Sequence, residues 1–141
     1  MPAPITSLLY VSDSLLDRRG EEQALDDIIA TALSRNAALS VTGALLFTRK
    51  HFAQVLEGPE CTVDELMVSI RKDHRHHKID VLEIIEIERR RFPNWSMAYS
   101  GSSKYIDSFV GPIGDHSRSS DRTMMTEHLM RLMREFASSK P

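Results

Sequence analysis

Two runs of strand character, Val41 to Thr48 and Phe52 to Glu57, stand a few residues apart, and a segment of helical period flanks the pair on either side. That spacing restricts the fold more than any other feature, because Thr48-Arg49-Lys50-His51 is long enough only for a hairpin. Upstream, Leu25, Ile28, Ile29, Ala32 and Leu33 recur at the intervals of an amphipathic helix beginning at Glu21, and Asn36 continues the stripe. Before that helix, Ser7 to Ser12 reads as a strand with Leu8 and Tyr10 on one face. Downstream, Thr62-Val63-Asp64-Glu65 matches the capping box and predicts a second helix starting there, with Val63, Leu66, Met67 and Ile70 inward. Val81 to Ile87 reads as a fourth strand, and Trp95 to Tyr99, after the Phe92-Pro93 break, as a fifth. The order β-α-β-β-α-β-β predicts an α+β fold, a ferredoxin-like sheet with two helices on one face.

The remaining chain divides by composition. Residues 1–100 carry the sheet, 101–120 are rich in Ser, Gly, Asp and Pro and read as a linker, and 121–141 form a C-terminal helical extension. In that helix Met125, Leu129, Leu132 and Phe136 form one sticky face, flanked by Met124, His128 and Met133. At 141 residues and 41% hydrophobic the chain suits one domain, which needs no disulfide to bury its core, so the lone Cys61 reads as structural or inert. A cytoplasmic setting is the expectation. Eighteen Lys+Arg against 20 Asp+Glu leave no basic stripe, which argues against a nucleic-acid partner. No apolar run approaches a membrane span, and the first twenty residues lack the pattern of a signal peptide.

Three polar residues stand at positions expected to be inside: Tyr10 on the first strand, Asn36 on the first helix and Gln54 between Phe52 and Leu56 on the third strand. Taken singly, each has a plain structural reading. Gln54 can bond backbone in a core, Asn36 can end its helix in the left-handed conformation, and Tyr10 can be a core aromatic with its hydroxyl tied down. Together they come from adjoining elements and can converge on one pocket. Such a site, with Ile28 and Ile29 as apolar walls and a carboxamide at the rim, suits a flat heteroaromatic ligand. Asp73-His74-Arg75-His76-His77 invites a metal reading, but neighbouring residues in a turn point apart and Arg75 repels a cation, so no metal is expected. Glu88-Arg89-Arg90-Arg91 reads as a solvated strand end. No phosphate-cradling glycine loop or nucleophile elbow is present.

Several of these segments, in collinear order from about residue 7 to 99, resemble BLUF domains, the sensors of blue light using FAD. They are Leu8-Leu9-Tyr10-Val11-Ser12, Ser34-Arg35-Asn36, Val41-Thr42-Gly43-Ala44-Leu45-Leu46, Phe52-Ala53-Gln54-Val55-Leu56-Glu57-Gly58, Asp73-His74-Arg75-His76 and Arg91-Phe92-Pro93-Asn94-Trp95-Ser96-Met97. The resemblance extends to short stand-alone members of the family, which carry a C-terminal helical extension. It implies a blue-light photoreceptor binding FAD non-covalently, with FMN or riboflavin as possible occupants. It implies photoactive roles for Tyr10 and Gln54, flavin contacts from Ile28, Asn36, Gln54, Asp73, Arg75 and His76, and signal output through Trp95 and Met97. Arg35 stands where relatives often carry Asn or His, and can reach the cofactor's rim or face solvent. The implied protein is no enzyme and signals to a downstream protein or through a homo-oligomer. Two other readings fit the residues: a flavin-dependent oxidoreductase using the same pocket, and a ferredoxin-like interaction module without cofactor.

Overall fold

The computed structural model describes residues 4–16, 21–100, 106–108 and 119–138, with backbone alone for 21–22, 95–100, 119–121 and 138. Its elements are β1 (Ile5–Ser14), α1 (Glu21–Ala38), β2 (Thr42–Phe47), β3 (His51–Gly58), α2 (Glu60–Lys72), β4 (His76–Ile87), β5 (Trp95–Ser100) and α3 (Ser119–Ser138). The strands form one sheet in the order β4-β1-β3-β2-β5, antiparallel throughout except for the parallel pair β2–β5. This is the expected ferredoxin-like arrangement with one further strand at the edge.

Strand alternation divides the side chains between two faces. Leu8, Tyr10 and Leu56 lie with Val63, Leu66, Met67 and Ile70 of α2, and Leu45, Phe47 and Phe52 lie with Leu25 and Ala32 of α1. Both helices thus cover one face, as the sequence predicts. On the other, Leu9, Val11, Ala44, Leu46, Ala53 and Val55 meet Leu129, Met130 and Met133 of α3. The sticky side of the terminal helix therefore packs on its own sheet. Its contact line is turned from the expected one: Met130 and Met133 are buried, Leu132 is half-buried and Met124 stands 68% exposed. Arg122 pins the start of α3 to β4, donating to the Asp80 carboxylate at 2.6 and 2.9 Å and to the Val81 carbonyl at 3.2 Å.

Several boundaries differ from the sequence reading. Helix α2 begins at Glu60, not at Thr62, and no side chain caps it. Pro59 sits at the N-cap, and its carbonyl accepts the Val63 amide at 3.0 Å. The capping-box residues lie inside the first turn because β3 ends at Gly58 and Pro59 turns the chain directly into the helix. Strand β4 begins at His76, since Asp13 and Ser14 of β1 extend the pairing to His77 and His76. Leu33, placed on the inner stripe, is 49% exposed. Within the expected linker, residues 101–105 and 109–118 lie outside the described residues. Ile106 is buried in the α3-side core, and Asp107 bonds Thr48 and, at 2.8 Å, the His51 ring on the β2–β3 hairpin.

In the run Glu88 to Arg91, Glu88 and Arg89 are exposed just past the end of β4, as expected, but Arg90 and Arg91 are tied into the fold. Glu57 is fully buried, and its two carboxylate oxygens accept the backbone amides of Arg91 at 2.9 Å and Phe92 at 2.8 Å. Arg90 reaches the carbonyls of Glu57 and Ser40 at 2.7 and 2.8 Å, and Arg91 donates to Ser7 Oγ at 2.6 Å. A buried carboxylate is stable only when so partnered, and here it fixes the entry into β5. Gly43 lets β2 and β3 approach, because a Cβ there would stand 1.8 Å from the Val55 carbonyl oxygen.

Candidate functional site

Tyr10 and Gln54 are direct cross-strand partners on β1 and β3, so their side chains leave the sheet side by side on the α1/α2 face. The Tyr10 hydroxyl donates to Gln54 Oε1 at 2.7 Å. Burial pushes that hydroxyl well above the ordinary tyrosine range; the Asp73 charge raises it further and the Arg35 charge lowers it. Tyr10 is therefore a neutral donor at physiological pH. With Oε1 engaged, the amide group of Gln54 remains as a donor to a ligand.

The pair forms one wall of an open cleft between the sheet and the two helices. Ile28 and Arg35 of α1, Asp73 and Arg75 of the α2–β4 turn, and His76 at the start of β4 line it as well. The sequence-predicted residues thus converge, with two differences. Ile29 packs into the Leu25–Phe52 core instead of the cleft, and Asn36 is buried behind the lining. Phe52, Leu45, Ala32 and Ile70 supply apolar wall that the sequence reading did not single out, though Phe52 and Leu45 share the Gln54 face by alternation. Trp95 and Met97 pair through backbone with Gly43 and Leu45, and their side chains lie outside the described residues. Cys61 is exposed on α2, away from this lining.

Asn36 is not a helix cap. The Val41 amide bonds the Asn36 carbonyl and the Ser40 amide the Ala37 carbonyl, with Ser40 at φ 58°, the paired bonds of a Schellman motif. The backbone ends the helix without help from the Asn36 side chain. Asn36 Oδ1 accepts from Arg35 Nε at 3.5 Å, while Nδ2 is buried with no hydrogen-bond partner among the described residues. Buried donors are rarely left so, and this one belongs to the residue that follows Arg35 of the cleft lining.

The turn from α2 to β4 is tied by side-chain bonds. Arg75 grips Asp73 through Nε at 2.9 Å and a terminal nitrogen at 2.6 Å, which holds the Asp73 carboxyl below the usual carboxylate range. His76 donates from Nε2 to the Ile70 carbonyl at 2.8 Å, and its Nδ1 pairs with Ser12 Oγ at 2.7 Å. Both ring nitrogens are thereby engaged within the protein, so His76 offers the cleft its ring rather than a free hydrogen-bonding atom. It stands beside Tyr10 and edge-on to Phe52, with centroids 6.1 and 5.9 Å apart.

Fold and cleft together define a small α+β ligand-binding domain whose polar wall is a Tyr–Gln pair. The BLUF family model, described as sensors of blue-light using FAD, matches residues 5–98, and the chain belongs to that family. Over 94 residues it is 36% identical to the photoactivated adenylate cyclase subunit beta of Euglena longa, a match covering 66% of this chain and 11% of that protein. The chain thus spans about a ninth of that relative's length. Among solved structures, the dark state of BlrB, a BLUF protein, superposes with a TM-score of 0.74 at 30% identity, covering 99% of this chain and 100% of the other. The photo-activated state of BlsA superposes with a TM-score of 0.73 at 25% identity, covering 96% of each chain. The chain is a blue-light flavin sensor by family. The residues present fit a flavin: apolar walls for a flat ring, the Gln54 carboxamide in the cleft wall, and a buried Asn36 donor without a partner among the described residues. No helix among the described residues is long and apolar enough to cross a membrane.

Proposed function

We propose that this chain senses blue light through the Tyr10–Gln54 pair and passes the signal to a separate effector. The carrying observation is the 2.7 Å bond between a buried, un-ionised tyrosine and a carboxamide in the wall of the cleft. Bound flavin supplies the blue absorption and an electron-accepting ring. Tyr10 gives up an electron and its hydroxyl proton and recovers both, so no substrate turns over and the chain is not itself an enzyme. Gln54 suits the switch because a carboxamide presents a donor and an acceptor and exchanges them on rearrangement. Ile28 holds the ring, and Asn36 and Gln54 answer its polar edge. Arg35, Asp73, Arg75 and the ring of His76 border the remainder of the cofactor.

The working ligand is FAD, the flavin in the family's description, with FMN and riboflavin sharing the ring that the pocket recognises. Residues 1–100 form the flavin-binding domain, and α3, from Ser119, is an extension packed on its sheet. Output runs through Trp95 and Met97 of β5 and through α3, which packs against β5 and β2. The receiver is an effector protein in the cytoplasm or a second copy of the chain. A relative named as a cyclase subunit, of which this domain covers 11%, supports effector coupling.

The test is the absorption spectrum of the flavin-loaded protein in darkness and immediately after blue light. A small red shift that decays in the dark is expected. Tyr10→Phe and Gln54→Leu should each keep flavin and lose the shift completely; a normal shift in either removes that residue from the switch.

A further inference from the structure

Three side chains of fixed charge line the cleft: Arg35, Asp73 and Arg75. Asp73 and Arg75 neutralise each other through their short paired bonds, and the Asp27 carboxylate of α1 also acts on Arg75. Arg35 has no carboxylate within ion-pair distance among the described residues, and its one side-chain hydrogen bond there goes to Asn36 Oδ1. The lining therefore carries one unbalanced positive charge, half-buried on α1. Partial burial of a guanidinium without a counter-ion opposes folding, because water solvates the charge better than an apolar cleft does. A cleft that keeps such a cation favours a ligand that carries or gains negative charge. The Arg35 charge also reaches the Tyr10 hydroxyl, opposing that of Asp73, which sets it near the Tyr–Gln wall.

A second effect follows from the same contact. Arg35 occupies Asn36 Oδ1, so the carboxamide is held with Nδ2, a donor, as its unpartnered group. Cation and donor both favour extra electron density on a ring carbonyl.

We propose that Arg35 is the counter-charge of the flavin site: it orients Asn36 as a donor and makes the pocket bind reduced, negatively charged flavin in preference to oxidised flavin. This rests on the photosensor reading given above.

The test is titration of the flavin-free protein with oxidised FMN and, anaerobically, with dithionite-reduced FMN, for wild type, Arg35→Gln and Arg35→Lys. The ratio of the two affinities reports the preference even in a variant that binds weakly. Arg35→Gln should lower the reduced-to-oxidised ratio about tenfold, while Arg35→Lys keeps it within about threefold of wild type. A ratio unchanged in Arg35→Gln overturns the proposal, as does equal weakening of both flavins, which would make Arg35 an ordinary contact. Thermal unfolding of the flavin-free variants, with Arg35→Lys expected to match wild type and Arg35→Gln to match or slightly exceed it, separates these outcomes from misfolding. Wild type that takes up neither flavin overturns the photosensor reading and this proposal together; wild type that binds both with an unaltered Arg35→Gln ratio overturns only the role of Arg35.

Discussion

The two faces of the sheet are built from the same strands and differ in what covers them. On the α3 side, Leu9, Val11, Ala53 and Val55 meet methionine and leucine side chains, and the packing is apolar and closed. One residue along each strand, on the opposite side, Tyr10 and Gln54 bond each other beside an open cleft, and Asn36 keeps a buried donor unpaired among the described residues. A side that binds nothing has no reason to leave void and an orphan, since each lowers stability. The contrast assigns stability mainly to the α3 face and function mainly to the α1/α2 face.

Leu129→Ala gives the largest expected effect on that division. It empties a fully buried site between α3 and the sheet and should cost about 3 kcal/mol in urea unfolding of the flavin-free protein. Flavin affinity should stay within about threefold, because the change lies across the sheet from the cleft. A comparable loss of flavin affinity would show that the two faces act as one unit.

Asn36→Ala probes the other face with the opposite pattern. The helix end is held by backbone bonds, alanine favours helix, and the orphan donor disappears, so stability should change by less than about 1 kcal/mol. Flavin binding loses a buried hydrogen bond and should weaken about tenfold, near 1.4 kcal/mol, read by quenching of flavin fluorescence. A variant as destabilised as Leu129→Ala but unaltered in flavin affinity would return Asn36 to a purely structural role.

Hydrophobic period made much of this legible in advance. The α2 stripe Val63, Leu66, Met67 and Ile70 is the buried set, and the alternation in β1 placed Leu8 and Tyr10 together. What the sequence hid depends on contacts between distant segments. The Thr62–Glu65 pattern suggested a helix start, yet Pro59 made the turn first, and tertiary geometry overrode a local motif. Arg90 and Arg91 read as solvated like Glu88 and Arg89 because Glu57, Ser40 and Ser7, which they bond, are more than thirty residues away. In the site, Tyr10 and Gln54 were nominated as polar residues on buried strands, whereas their pairing required the β1–β3 register. The Ser12–His76–Ile70 chain could not be read locally, since alternation suggests only that Ser12 shares a face with Tyr10. Asn36 is spared from capping α1 because Ser40 takes the left-handed position and the backbone bonds end the helix, a geometry the residue types do not announce.

The smallest effect concerns the proton on Tyr10. Its folded-state pKa is raised, chiefly by burial, above the unfolded value of about 10, so the unfolded chain releases this proton first as pH rises. The contribution to stability is fully present below about pH 10 and is lost progressively above it, because the folded state then binds more protons than the unfolded one. At about pH 10.5 the loss should reach about 0.8 kcal/mol relative to neutral pH. Tyr10→Phe lacks this term, and Tyr99 and Tyr105 are common to both proteins, so the difference between their unfolding free energies isolates it. Near neutral pH the variant should be less stable by about 1 kcal/mol, having left Gln54 Oε1 without its donor, and the gap should narrow as pH passes 10. A gap that stays constant across this range would mean that Tyr10 ionises as readily in the folded chain as in the unfolded one, and that its surroundings on the α1/α2 face do not desolvate the hydroxyl.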